Sequence, residues 1–268
     1  MKAYGITKSS NTSSREEEIL EELRLNGYSI IERYLDMEEC KKLSDKLEKV
    51  YAEQESGFGK ENLIEIQELN TCRMPFLYDN YFAELLSDSW VVNLFETYVG
   101  GKLILHLQNG ILNRPKKEHH QTSWHRDLPY QNYVTSEPIG LNAFYCLTDF
   151  NVENGGTVLL PFSHRMERFP SNNYIEKHAV QVDVPVGSLL LFDSFVYHRA
   201  GNNTSESVRY GVNHLYVRPL LKQQVDISGG IKDWSKFTIE QQELLGKSFR
   251  VPKNVEDFRE QRQSKKKL

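Results

Sequence analysis

The hexapeptide SWHRDL at residues 123–128 sets a histidine and an aspartate two positions apart, His125 and Asp127. In an extended segment, residues two apart point to the same side, so this imidazole and this carboxylate can reach one ion. Such a triplet alone is a weak signal, because it recurs by chance. About 70 residues downstream the segment FVYHRAGNN (residues 195–203) supplies His198. Two histidines and one carboxylate on one face of an ion leave coordination positions open, the arrangement suited to iron(II) that must also bind a substrate and oxygen. Arg209 follows His198 by eleven residues in a strand-like run. Its guanidinium is a rigid fork that pairs with a carboxylate through two hydrogen bonds. Gly211 and Asn213 share its strand face, and the missing side chain at Gly211 is expected to leave room there for a bound acid.

These residues need a scaffold. Helical period runs through the first hundred residues. Ser14 with Glu17 reads as a capping box ahead of Ile19, Leu20 and Leu23, and Gly27 stops that helix. Residues 28–31 read as a strand. Asp36 with Glu39 opens a second helix with the stripe Met37, Cys40, Leu43, Leu47, Val50 and Tyr51. Weaker helical patterns cover residues 82–86 and 91–99, ended by Gly100 and Gly101. Residues 57–74 have no period and read as a long surface loop, a candidate lid. From Lys102 the texture changes to short strands broken by Gly, Pro, Asn and Asp: residues 103–112, 141–148, 157–160, 179–184, 188–192 and 208–217. Strands so spaced, without helices between them, indicate a sandwich or jelly roll. Helix returns at Thr238 with Gln241, and again from Val255. The expected fold is mainly β with helical additions, one domain over residues 1–268. It divides into a helical part at 14–100, a jelly-roll core at 102–219 and a helical end at 220–262.

The H-x-D triplet, the segment ENGGTVLLPFSH (153–164), the run PVGSLLLFD (185–193) and YHRAGNN (197–203) followed by Arg209 resemble the phytanoyl-CoA dioxygenase family. The opening NGYSIIERYLDMEEC (26–40) is similar to that family's usual start, and the resemblance extends from about Leu23 to about Pro252. It implies a double-stranded β-helix, with iron(II) held by His125, Asp127 and His198. It also implies 2-oxoglutarate as co-substrate, its distal carboxylate on Arg209, with dioxygen as oxidant and ascorbate as a candidate reductant. The same resemblance puts Asn142, Thr157, Gln108 and Arg114 at the co-substrate pocket. One departure is Phe162, where glycine is usual before Ser-His; the change is expected to alter a turn and leave the chemistry alone. Family members that halogenate replace the acid by a small residue, so Asp127 implies a hydroxylase. Desaturation, cyclisation and epoxidation at the same centre stay open.

The remaining histidines read as solvated (His119, His120), as bonded to backbone (His164) or as structural (His106, His178, His214). Trp124 and Tyr197 pack the core or touch a ligand. The substrate is expected to be a small organic molecule met by the 57–74 loop with Arg73, by residues 128–135 with Tyr130 and Asn132, and by the C-terminal helices. A formal net charge of −4 gives no field to hold a nucleic acid. No apolar run reaches the roughly 18 residues of a membrane span, and no leader pattern is visible. Three scattered cysteines (Cys40, Cys72, Cys146) fit a reducing cytoplasm. Nothing in the sequence sets an oligomeric state. The reading from another class is a jelly roll that binds a metal and a small acid without turnover.

Overall fold

A computed structural model describes residues 4–6, 11–116, 120–128 and 133–265. The N-terminal helices are α1 (Arg15–Asn26), α2 (Met37–Phe58), α3 (Lys60–Glu65), α4 (Tyr81–Leu86) and α5 (Ser89–Val99). Both expected caps are formed: Ser14 Oγ accepts from the Glu17 amide at 3.2 Å and Asp36 from the Glu39 amide at 2.8 Å. The stripe on α2 is Cys40, Leu43, Leu47, Val50 and Tyr51. Met37 is not part of it, since it lies in the first turn and is 74% exposed. Later helices are α6 (Asn172–His178), α7 (Ile227–Gly230), α8 (Ile239–Leu244) and α9 (Val255–Lys265). Thr238 and Gln241 cap α8 reciprocally, as the sequence indicates.

The strands are β1 (Tyr28–Ile31), β2 (Thr71–Arg73), β3 (Ile104–Asn113), β4 (Gly140–Cys146), β5 (Val158–Leu159), β6 (Val180–Gln181), β7 (Leu189–Asp193), β8 (His198–Arg199) and β9 (Arg209–Val217). They build two antiparallel sheets, ordered β1-β7-β4-β9-β3-β2 and β6-β5-β8. Side chains of the larger sheet (Ile111, Phe144, Leu190, Phe192) and from around the smaller one (Leu159, Val182, Val196) fill one apolar cluster between them. The result is the double-stranded β-helix, a mixed α+β fold with an antiparallel core. The other face of the larger sheet is covered by helices: Leu47 of α2, Phe82 and Leu86 of α4 and Phe95 of α5 pack with Leu105, Tyr145, Leu191 and Tyr216. Each such side chain contributes about 1.5–3 kcal/mol on burial. Contact is close: a Cβ at Gly110 would stand 2.2 Å from Leu47 Cδ1, so β3 must present bare backbone to α2 there.

Residues 57–74 are not the structureless lid expected from the sequence. They contain the end of α2, all of α3, and β2, which pairs with β3 through Thr71↔Ile111, Cys72↔Gly110 and Arg73↔Asn109. Thr71 and Cys72 are buried in that pairing. Arg73 is held by Glu68 at 2.5 Å and by Gln54, and does not line the cavity described below. Among the described residues no helix is long and apolar enough to cross a membrane.

Candidate functional site

His125 lies in a single antiparallel bridge with His198, the first residue of β8. Each backbone donates to the other, His125 N to His198 O and His198 N to His125 O, at 3.0 Å both ways. The two rings are 4.3 Å apart between centroids. His125 Nδ1 lies 2.8 Å from the Ser123 carbonyl oxygen and His198 Nδ1 lies 3.0 Å from that of Val196. A carbonyl only accepts, so in both rings Nδ1 carries a proton and Nε2 is the nitrogen turned toward Asp127. Those two Nε2 atoms stand 3.8 and 3.7 Å from the same Asp127 oxygen, Oδ1. All three side chains offer a donor atom within 4.8 Å of the others. His198 is pushed down to about 4, by burial first and by its neighbour His125 second, against the pull of Asp127. It is a neutral ligand-type imidazole at neutral pH. Asp127 Oδ2 is buried and has no hydrogen-bond partner among the described residues. Two imidazole nitrogens and one carboxylate on one side of a point are a donor set that could hold a divalent ion with open positions.

Arg209, at the start of β9, lines the same cavity and is 1% exposed. Among the described residues its Nε and Nη1 have no hydrogen-bond partner, and its Cζ sits 4.5 Å above the Phe150 ring. Burial pushes its pKa down to about 10, so it stays a cation at neutral pH. A buried cation with unmet donors is costly by several kcal/mol unless an anion completes it. The arrangement therefore fits a carboxylate ligand. Gly211 makes room differently from the sequence expectation: a Cβ there would meet Phe144 Cε2 at 2.4 Å and Phe150 Cζ at 3.2 Å. The space belongs to the rings that underlie Arg209.

The other expected pocket residues divide. Thr157 lines the cavity. Asn142 is fully buried, and its Oδ1 accepts from Nδ2 of Asn213, which does line the cavity; Asn142 Nδ2 has no partner among the described residues. Gln108 and Arg114 do not belong to the cavity. Gln108 bonds the Phe76 amide, the Phe82 carbonyl and His214 on the helix-covered face. Arg114 pairs in two bonds with Glu48 of α2 (3.0 and 2.9 Å) and with Asn70. Missed by the sequence reading are Asn109, Gln121 and Phe144, which line the cavity with the triad. Asn109 lies opposite Asn213 across the β3–β9 pairing.

Among the decoys, His164 Nε2 lies 3.2 Å from the Arg24 carbonyl and His214 is bonded by Gln108, both as expected. His106 is buried at 2% exposed, as a structural histidine would be, and its Nδ1 has no hydrogen-bond partner among the described residues. Trp124 and Tyr197 pack around Leu160 and Ile175, so neither side chain joins the ligand set. His119, Tyr130 and Asn132 lie outside the described residues, and of His120 only its backbone place in a short turn is described.

The chain is 30% identical over 255 residues to an uncharacterized protein of Mycobacterium tuberculosis, covering 90% of each. It is 26% identical over 218 residues to the ectoine dioxygenase of Nocardia farcinica, covering 70% of this chain and 72% of that one. Among solved structures it resembles the epimerase SnoN in complex with Fe3+, alpha ketoglutarate and nogalamycin RO, with a TM-score of 0.61 and 20% identity over 76% of this chain and 84% of that one. The family model described as phytanoyl-CoA dioxygenase matches residues 23–211, which include His125, Asp127, His198 and Arg209, and the chain belongs to that family.

Proposed function

We propose that this protein is an iron(II)- and 2-oxoglutarate-dependent oxygenase that oxidises a C–H bond of a small organic molecule. The observation that carries the reading is the pairing, in one cavity, of the His125–Asp127–His198 donor set with a buried guanidinium that, among the described residues, lacks a hydrogen-bonding partner at two of its nitrogens. Iron(II) with 2-oxoglutarate, when bound, supplies oxidation of an unactivated C–H bond by dioxygen, with the keto acid converted to succinate and carbon dioxide. His125 and His198 would hold the ion through Nε2, their orientation set by the Nδ1 protons on the Ser123 and Val196 carbonyls. Asp127 would supply the third ligand and one negative charge. Arg209 would bind the far carboxylate, with Thr157 and the Asn142–Asn213 pair beside it.

Ile111, Phe144 and Phe192 line part of the cavity, and their low-polarity surface would strengthen the pairing of a bound carboxylate with the buried Arg209. Hydroxylation is the proposed outcome, and the similarity to an epimerase keeps the reaction type a matter for product analysis. A reducing cytoplasm, where three buried free cysteines stay thiols, is the proposed setting.

The test is anaerobic titration of iron-loaded protein with 2-oxoglutarate, following the visible band of the keto-acid chelate. Succinate release is then screened over small metabolites, with product mass. A band and slow substrate-free succinate formation support the oxygenase. Lack of both would overturn it in favour of a binding module.

A further inference from the structure

Resting on that ligand assignment, we propose that Arg126 and Tyr197 form a clamp outside the barrel that sets the separation between the His125–Asp127 pair and His198. The need for such a device is visible in the pairing. His125 is held by one bridge, and β8 has two residues. Pairing this short specifies position weakly, since each extra residue of ladder adds to the constraint. By strand alternation the ligands point inward, and Arg126 and Tyr197, each adjacent to a ligand, point outward.

These outward residues meet. The Arg126 guanidinium lies 3.9 Å from the Tyr197 ring centroid. Its Nη2 donates to the carbonyls of Ser163 (2.9 Å) and Met166, and its Nη1 to that of Tyr133 at 3.4 Å. Ser163 closes the circuit, because its Oγ accepts from the Tyr197 amide at 2.8 Å. One side chain between two ligands is thus tied to the residue before the third by a ring contact and through the Ser163 turn.

Arg126 is 4% exposed, its Nε has no partner among the described residues, and burial holds its pKa below the ordinary value. Its partners are carbonyl oxygens and an aromatic face. A flat, weakly hydrated guanidinium can stack and fork in this way, and a lysine ammonium cannot. Arg126 is a positioning residue: it touches no ligand atom and acts through the backbone between His125 and Asp127.

A purely architectural Arg126 would change the stability of the metal-free chain and leave the metal affinity of folded protein alone. The full chain, stripped of metal, is titrated anaerobically with Co(II), with metal-free melting measured in parallel. Arg126→Met is expected to weaken Co(II) binding about 10–100-fold, as loss of an outer support does, and to shift the ligand-field bands. Tyr197→Leu should weaken binding in the same direction, and Arg126→Lys should recover part. Co(II) affinity within about twofold of wild type in folded Arg126→Met overturns the clamp; if that variant does not fold, the same result in Tyr197→Leu does so. His198→Ala separates the two readings. If it loses Co(II) while the clamp variants keep it, the clamp alone fails. If it binds Co(II) like wild type, the ligand assignment fails and the clamp with it.

Discussion

His125 and His198 face each other across a reciprocal pair of backbone hydrogen bonds, 3.0 Å each way, and each ring gives its Nδ1 proton to the carbonyl two residues before it. The same local turn is used twice, so both Nε2 atoms converge on one Asp127 oxygen. Removing any member leaves two donors. His198→Ala and Asp127→Ala are each expected to lower iron(II) affinity by more than the roughly 10–100-fold that loss of an outer partner costs. Far-ultraviolet circular dichroism should stay near wild type. Wild-type affinity by anaerobic calorimetry in either variant would remove that residue from the ligand set.

Arg209 is predicted to govern 2-oxoglutarate and leave the metal alone. Taking one member from a buried charge pair costs about 2–5 kcal/mol. Arg209→Ala should therefore bind 2-oxoglutarate roughly 30- to several-thousand-fold more weakly, at about 1.4 kcal/mol per decade. Arg209→Lys should regain part, because an ammonium is a point charge without the fork. Equal 2-oxoglutarate affinity in wild type and Arg209→Ala, read from the chelate band, would place the anchor elsewhere.

The success and failure of the sequence reading follow from strand geometry. His125, Asp127, His198 and Arg209 stand out through residue type, spacing and the family resemblance taken together, and the structure brings all four to one cavity. The direction of β3 was not legible. Both faces of that strand are buried, one by the barrel interior and one by helices, so no alternation of polar and apolar residues marks the inner side. A register shift between Leu105 and Leu107 further breaks any count of alternate positions. Gln108 and Arg114, the two β3-side residues that the family resemblance offers for the co-substrate pocket, face the helices, while Asn109, next to Gln108, faces in. The cap residues Ser14, Asp36 and Thr238 act within four residues and were readable; β2, three residues long, exists only because β3 lies beside it.

Gly211 should be intolerant of the smallest addition. In Gly211→Ala the new methyl must displace the Phe144 ring, 2.4 Å away, and press on Phe150, which underlies Arg209. Overpacking of this kind costs about 1–3 kcal/mol. Both the urea midpoint and the 2-oxoglutarate affinity should fall. A variant with wild-type values for both would show that the rings give way freely.

Phe162 stands at φ 65°, in the left-handed region, at the head of the turn that bears Ser163. An L-residue there is strained by about 1–2 kcal/mol relative to glycine, and the side chain is largely exposed, so little packing offsets it. Phe162→Gly is expected to be neutral or stabilising by up to about 1 kcal/mol after glycine's extra unfolded entropy. A loss above that, by urea unfolding, would mean that the ring has a contact worth more than the strain.

Asp193 gives a pH signature with a definite sign. Its carboxyl is 2% exposed, accepts from the Phe195 amide at 2.9 Å and from Tyr98 at 3.2 Å, and is pushed up by burial to about 6 from an ordinary 3.8. Between those two values the folded chain holds a proton that the unfolded chain has released. Stability from this group therefore falls as pH rises from about 4 to 6, and the deficit is complete above 6. At roughly 1.4 kcal/mol per pH unit the deficit is about 3 kcal/mol. Asp193→Asn keeps an acceptor for Phe195 and removes the charge. Its amide can donate to the Tyr98 oxygen, whose own proton turns to the Leu23 carbonyl 3.3 Å away. The variant should match wild type near pH 4 and exceed it progressively toward pH 6.5, by up to the same amount. Urea unfolding of both proteins across that interval is the measurement. A difference that stays constant with pH would mean that Asp193 is ionised throughout, held so by Arg126 and Arg165, whose charges act against burial at this carboxyl.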